Sequence, residues 1–169
     1  FPQHVGQIPL YYNHFNTGRP VADGADRFFS FQSNYLDVRN DPLYPFGYGL
    51  SYTTYQYGEL KLDSKTMSPD GQITVTIPVT NTGNRDGIEV VQLYIRDVVG
   101  SIARPVKELK GFQCLSLKAG ETATATFTID ASKLKFYNYD LKEVVEPGEF
   151  DVMVGPNSRD LKRATITVQ

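Results

Sequence analysis

The chain has 169 residues, 40% of them hydrophobic, enough for one good core plus an appendage but not for two domains of equal size. Seventeen basic side chains against nineteen acidic ones leave a net charge of −2. That balance excludes the basic footprint of a nucleic-acid binder or of a protein drawn to an anionic membrane surface. The single cysteine, Cys114, rules out an intrachain disulfide and a thiolate metal centre; it is expected to be a small buried apolar residue.

In chain order, the opening FPQHVGQ has neither the basic start nor the apolar run of a secretory leader, and nowhere does the chain approach the roughly 20 apolar residues of a membrane helix. Phe1 stands where an initiating methionine would be, so the sequence reads as an excised or processed piece of a longer protein. Strand character in residues 1–54 is confined to GQIPLYY, through Ile8, Leu10, Tyr11 and Tyr12. The following stretch to Pro42 has no period, and a run that long is functional, a linker, or wrapped around another body. A free linker would not carry Phe28, Phe29, Phe31, Tyr35, Tyr44, Phe46, Tyr48 and Tyr52, each of which needs a covering surface. With an orphaned strand and so much apolar surface, residues 1–54 are also expected to let the chain self-associate.

The segment PLYPFGYGLSY, residues 42–52, sets four rings among two prolines and two glycines. Two uses fit it. Exposed rings can form a sugar-binding platform, which would make Tyr44–Tyr52 a carbohydrate-binding site. A chain without tryptophan and with its rings threaded through turn residues fits better as a compact plug packed under a neighbouring surface.

From about Glu59 onward the period is two. In QITVTIPVTN, Ile73, Val75, Ile77 and Val79 point one way and Thr74, Thr76, Pro78 and Thr80 the other, with Pro78 favouring an edge or a bulge. TATATFTI repeats the grammar with Ala123, Ala125, Phe127 and Ile129 on one face, and FDVMV and ATITV follow it. Turn chemistry separates these runs at SPDGQ, NTGNRDG, KAGE, EPGE and GPNSRD. About seven short strands with no convincing helical period predict an all-β, immunoglobulin-like antiparallel sandwich over residues 55–169, preceded by an irregular N-terminal extension. Its core is predicted to hold Ile73, Val75, Ile77, Val91, Leu93, Ile95, Phe127, Ile129, Phe150, Val152, Val154 and Ile166.

Little here points to chemistry. His4 and His14 lack partners at ligand spacing, so no metal site is expected. Of the carboxylates, notably Asp37, Asp41, Asp86, Glu89, Asp97, Glu108 and Glu149, most fall in turns or on outward strand positions, where solvation accounts for them. A glycosidase needs two carboxyls held across a cleft roughly 5 to 10 Å apart, and nothing in the sequence signals one. No catalytic residue and no cofactor is assigned.

Four phrases in series, GQIPLYYNHFNTGRP, YLDVRNDPLYPFGYGLSYTTY, VTNTGNRDGIEVVQLYIRD and SIARPVKELKGFQCLSLKAGET, followed by LKFYN and EPGEFDVMVG, closely resemble the C-terminal portion of family 3 glycoside hydrolases, bacterial β-glucosidases of the periplasmic type. Phe15 departs from that pattern, where relatives carry a basic residue before NTGRP. The resemblance implies a fibronectin type III-like module belonging to a larger enzyme that removes terminal β-D-glucosyl units with retention. The enzyme's nucleophile would lie on a (β/α)₈-like barrel and its acid/base on an α/β sandwich, neither of which is in this chain. Residues 1–54 would then be the tail end of the α/β sandwich plus a connector. Tyr44, Pro45, Phe46, Tyr48, Leu50 and Tyr52 would seat the module against those catalytic domains, its expected partners. The location implied is periplasmic or secreted.

Overall fold

The computed structural model describes residues 1–21 and 31–169; Phe28 and Phe29 lie outside the described residues. Two sheets face each other across one core. The first is built on β4 (Gln72–Asn81), which pairs along its whole length with β7 (Thr122–Asp130) and on its other side with β1 (Tyr55–Tyr57) and β2 (Lys61–Leu62). The second runs β3 (Thr66–Met67), β11 (Lys162–Val168), β10 (Gly148–Gly155), β5 (Gly87–Asp97) and β6 (Glu108–Leu117), antiparallel except where β3 meets β11. Among the described residues the one helical turn, α1 (Ala131–Leu134), starts where Asp130 caps it by accepting from Ser132 N, and leads into the ribbon of β8 (Phe136–Tyr137) and β9 (Glu143–Val144).

The alternation written in the sequence sets the core. All twelve predicted core residues are buried, joined by Met67, Val79, Leu115, Leu117, Ala125, Leu134 and Val168. Asn81 is fully buried yet fully paired: its amide oxygen accepts from Thr53 Oγ1 at 2.6 Å and Gly83 N at 3.1 Å, while its amide nitrogen donates to Arg85 O and Leu117 O. This polar knot ties the connector, the 82–87 turn and the end of β6 together, and leaves no unpaired group to penalise its burial.

Four expectations change. GQIPLYY is not a strand; Pro9 lacks a ladder donor, and the segment is held instead by side chains, with Ile8 N donating to Tyr35 Oη at 2.7 Å and Gln7 donating to Arg39 O at 2.8 Å. Pro78 lies in the central strand rather than at an edge or bulge. It is tolerated because its ring nitrogen faces the break between β1 and β2, where its carbonyl accepts from Gly58 N. Cys114 is exposed, not buried: Leu115 and Leu117 take the inward phase of β6, so Cys114 shares the outward phase with Phe112 and Ser116. Glu89, Asp97 and Glu108 are not simply solvated: Glu89 shares the inward phase of β5 with Val91 and accepts from Tyr57 Oη at 2.8 Å. The Asp97 side chain is only 6% exposed, and Arg104 reaches it at 3.9 Å and Glu108 at 2.8 Å while lying over the Phe136 ring.

Candidate docking interface

The outward face of β5 shows how the N-terminal extension is attached. Val91, Leu93 and Ile95 point into the core, which leaves Ile88, Val90, Gln92 and Tyr94 pointing away from it. Tyr94 and Gln92 are nevertheless buried, as is Met153 on β10 beside Tyr94. What buries them is the extension folding back over the sheet. Tyr12 meets the Tyr94 ring edge to face at 5.8 Å, and Phe46 stacks on Tyr12 at 4.2 Å with the planes 19° apart.

Gln92 is the latch. Its amide donates to Gly47 O at 3.1 Å and Pro156 O at 2.6 Å, and its oxygen accepts from Tyr94 Oη. Ser158 N donates to Phe46 O at 2.9 Å, and Lys107 Nζ to Ser158 O at 2.8 Å, so the 155–160 turn grips the same segment. Gly47 has φ +78°, and a Cβ there would overlap Gln92 Oε1 and come within 2.7 Å of Nε2. Glycine is therefore required twice over, for the left-handed backbone and for the close approach. Further back, Val106 N donates to His14 O and Phe15 pairs with Pro105, clipping the extension to the β5–β6 connection.

The six residues predicted to form the interface divide. Pro45 faces the protein and is buried. Tyr44, Phe46 and Tyr48 are half-covered, and Leu50 and Tyr52 stand 90% and 93% exposed. Tyr44 is tilted 37° to Tyr48 and meets Phe1 edge-on, while one face of Phe46 is occupied by Tyr12. No flat run of open rings results, so the geometry does not favour the carbohydrate-platform reading. Of the twenty-one exposed large apolar residues among those described, fourteen lie before residue 55.

The remaining chemistry is sparse. Among the described residues no three His, Cys, Asp or Glu side chains are grouped to hold a metal ion. An open cleft of about 360 Å³ beside the 97–106 loop is lined by Asp97, Arg96, Arg104 and Tyr139, with Asp97 its sole carboxylate. Burial raises the Asp97 carboxyl above its ordinary range, an effect partly offset by Arg104. Glu89, at the opposite end of β5, is likewise raised by burial, partly offset by the hydrogen bond it accepts from Tyr57 Oη at 2.8 Å. Two carboxylates at opposite ends of one strand do not face each other across a cleft.

Residues 89–158 match the fibronectin type III-like domain model. The periplasmic β-glucosidase of Salmonella typhimurium is 49% identical over 98% of this chain, which corresponds to 21% of that protein. The chain matches the fibronectin type III-like region of family 3 glycoside hydrolases. A β-xylosidase of Formosa agariphila is 45% identical over the whole chain and 22% of its own length. The crystal structure of a Listeria innocua β-glucosidase in complex with gluconolactone superposes with a TM-score of 0.91 at 42% identity, covering 99% of this module and 23% of that chain. The module thus spans about a fifth of the length of the relatives it matches. Because the likeness in sequence and structure covers essentially the whole chain, the folded-back extension is included in it.

The sequence pointed to the aromatic segment but missed its partners, Tyr12, Gln92, Tyr94 and Ser158. One signal was present: IEVVQLYI in β5 is apolar on both phases except at Glu89 and Gln92, the mark of a strand covered on both faces.

Proposed function

We propose that this chain is a non-catalytic structural module of a family 3 β-glucosidase, and that Tyr44, Pro45, Phe46, Tyr48, Leu50 and Tyr52 form a wedge seating it against the catalytic domains. Residues 1–54 then serve as the end of the α/β sandwich and the connector out of it. The observation that carries this reading is a pairing of order with exposure: the wedge is latched to the sheet by Gln92, yet turns Leu50 and Tyr52 fully outward. Rigidly held apolar side chains in solvent are what a preformed interface presents. Hydrolysis of terminal β-D-glucosides belongs to the longer enzyme and to carboxylates outside this chain. Since a β-xylosidase is nearly as similar as a β-glucosidase, the module does not set the sugar preference. The name of the Salmonella relative supports a periplasmic or secreted location.

The double variant Leu50→Asp/Tyr52→Asp tests the docking. Both side chains are in solvent in this chain, so the isolated module keeps its melting temperature, whereas the full enzyme loses stability because two charges enter a formerly dry contact. Equal stability of variant and parent in the full enzyme would overturn the reading.

A further inference from the structure

Among the described residues, the half-buried cations are paired, with one exception. Arg104 lies against Asp97 and Glu108, Lys107 donates to Ser158 O, Lys110 and Lys133 reach Glu108 and Asp130, and Lys135 holds Glu143. Arg96 is half-buried too, yet its guanidinium makes no hydrogen bond or ion pair with any described residue. The nearest acids along the strand and across it are both taken. Asp151 lies directly opposite Arg96 on β10, but it accepts from Thr165 Oγ1 at 3.1 Å and faces Arg163 at 3.8 Å, both on β11. Asp97, the next residue, shares the inward phase of Ile95, and Arg104 meets it there. A half-buried charge without a counter-ion is a cost to the fold, and it marks a place where a partner anion would be stabilised.

Arg96 also lines the open cleft of about 360 Å³ beside the 97–106 loop, together with Asn16, Ser101 and Tyr139. The cleft lies at the junction of the two parts of the chain. Asn16 comes from the extension, which is fastened to the neighbouring loop by the bond from Val106 N to His14 O and the bridge between Phe15 and Pro105. On the outward row of β5, Arg96 is the next residue after Tyr94, against which Tyr12 of the extension packs. Surrounding charge narrows what this cation can take. Asp97 and Glu108 lie against Arg104 of the same loop, Glu146 accepts from Ser101 N at 2.8 Å, and Asp151 stands across the strand. These acids disfavour a doubly charged phosphate, whereas a single planar carboxylate matches the guanidinium fork and brings only one charge.

We infer that Arg96 is a carboxylate anchor, and that the carboxylate is an aspartate or glutamate side chain of the catalytic remainder of the longer enzyme, inserted into this cleft. The inference rests on the docking reading given above and adds a polar anchor to its apolar wedge. Energetics select this occupant over a free organic acid. One ion pair in an open cleft is too weak to hold a small acid, which gives up its translational and rotational freedom on binding. A side chain on a body already seated on the module gives up almost none, and it meets Arg96 at high effective concentration. The cleft also lies where that body is expected, because Asn16 belongs to the segment read as the end of the α/β sandwich and its connector.

Arg96→Lys in the full enzyme tests this directly. A water-soluble carbodiimide joins an amine to a carboxylate only where the two are in contact, and peptide mass spectrometry locates the bond. The expected product links position 96 to an Asp or Glu outside this chain. Stability gives a second readout. Arg96→Gln should speed thermal inactivation of the full enzyme about fivefold or more, through loss of hydrogen bonds between charged groups, and Arg96→Lys, which keeps the charge without the fork, should recover part of that loss. The isolated chain should melt at the same temperature with arginine or glutamine at position 96, since no partner is lost there. An inactivation rate equal to wild type overturns the inference, as do cross-links confined to this chain; the Leu50→Asp/Tyr52→Asp variant then shows whether the wedge docking stands without it or falls with it. Equal destabilisation of the isolated chain and the full enzyme by Arg96→Gln would give Arg96 a role in the fold alone and overturn the inference. A cross-link between two copies of the chain would assign the site to a second copy. A rise in the melting temperature of the isolated chain in millimolar sodium acetate or sodium gluconate, abolished by Arg96→Gln, would assign it to a free acid. Either result overturns the inference.

Discussion

Gly47→Ala is the sharpest perturbation of the wedge. At φ +78° an alanine in the left-handed region costs about 1–2 kcal/mol. The added Cβ also collides with the amide of Gln92, whose side chain holds Gly47 O, Pro156 O and Tyr94 Oη at once. Displacing it removes three buried hydrogen bonds, each worth about 1 kcal/mol net. The two effects together come to about 4–5 kcal/mol, the summed cost of the strain and the three bonds. The wedge has a cheaper way out, which is to lift off the sheet and give up the Phe46–Tyr12–Tyr94 stack. The expected outcome is therefore local: amide exchange at Ser158 N, whose bond to Phe46 O is lost, accelerates strongly while β4 and β10 keep their protection. Gly49→Ala is the internal control, since a Cβ there meets nothing within 4 Å and φ is not positive; its effect should stay within about 0.5 kcal/mol. If Gly47→Ala exchanges at Ser158 as slowly as wild type, neither the backbone conformation nor the Gln92 latch holds the wedge, and the account of a rigid preformed surface fails.

Phe127→Ala, which empties a ring-sized volume between the sheets, should cost about 3–5 kcal/mol in denaturant melts, and a loss under about 1 kcal/mol would contradict the packing described. Burial lifts the Glu89 carboxyl above its ordinary value of 4.5, so the native state holds that proton more tightly than the unfolded chain. The associated stability is complete below pH 4.5 and is lost as pH rises through the raised value. Glu89→Gln keeps an acceptor for Tyr57 and should flatten this decline, so that the variant gains on wild type between acid and neutral pH; parallel pH–stability curves would refute it. The isolated chain should self-associate near millimolar concentration through residues 1–54, whereas a chain starting at Tyr55 should not, and sedimentation of both decides the point. On an aryl β-glucoside the isolated chain should show no turnover; activity that survives repurification and vanishes on replacing one of its own carboxylates would overturn its non-catalytic assignment.

The sequence alone determined which side chains face the core. Residues in a strand alternate by covalent geometry, so the phases of Ile73–Val79, Val91–Ile95 and Ala125–Ile129 follow from spelling alone. It also determined where the chain turns, because proline and glycine act on their own backbone angles. The same alternation could have placed Cys114 outward opposite Leu115 and Leu117; the general tendency of cysteine to be buried pointed the other way and lost to strand phase. What only the tertiary structure decided is what lies against each outward face. Tyr94 and Ile88 occupy equivalent outward positions of one strand, yet the first is sealed and the second open. The difference is made by chain far away in sequence: Tyr12 lies against Tyr94, and Gly47 and Pro156, 45 and 64 residues from Gln92, hold the side chain next to it. Pro78 in a central strand and GQIPLYY outside any strand have the same origin. Local geometry fixes the direction in which a side chain points, but whether it meets protein or water depends on the path of chain far away in sequence.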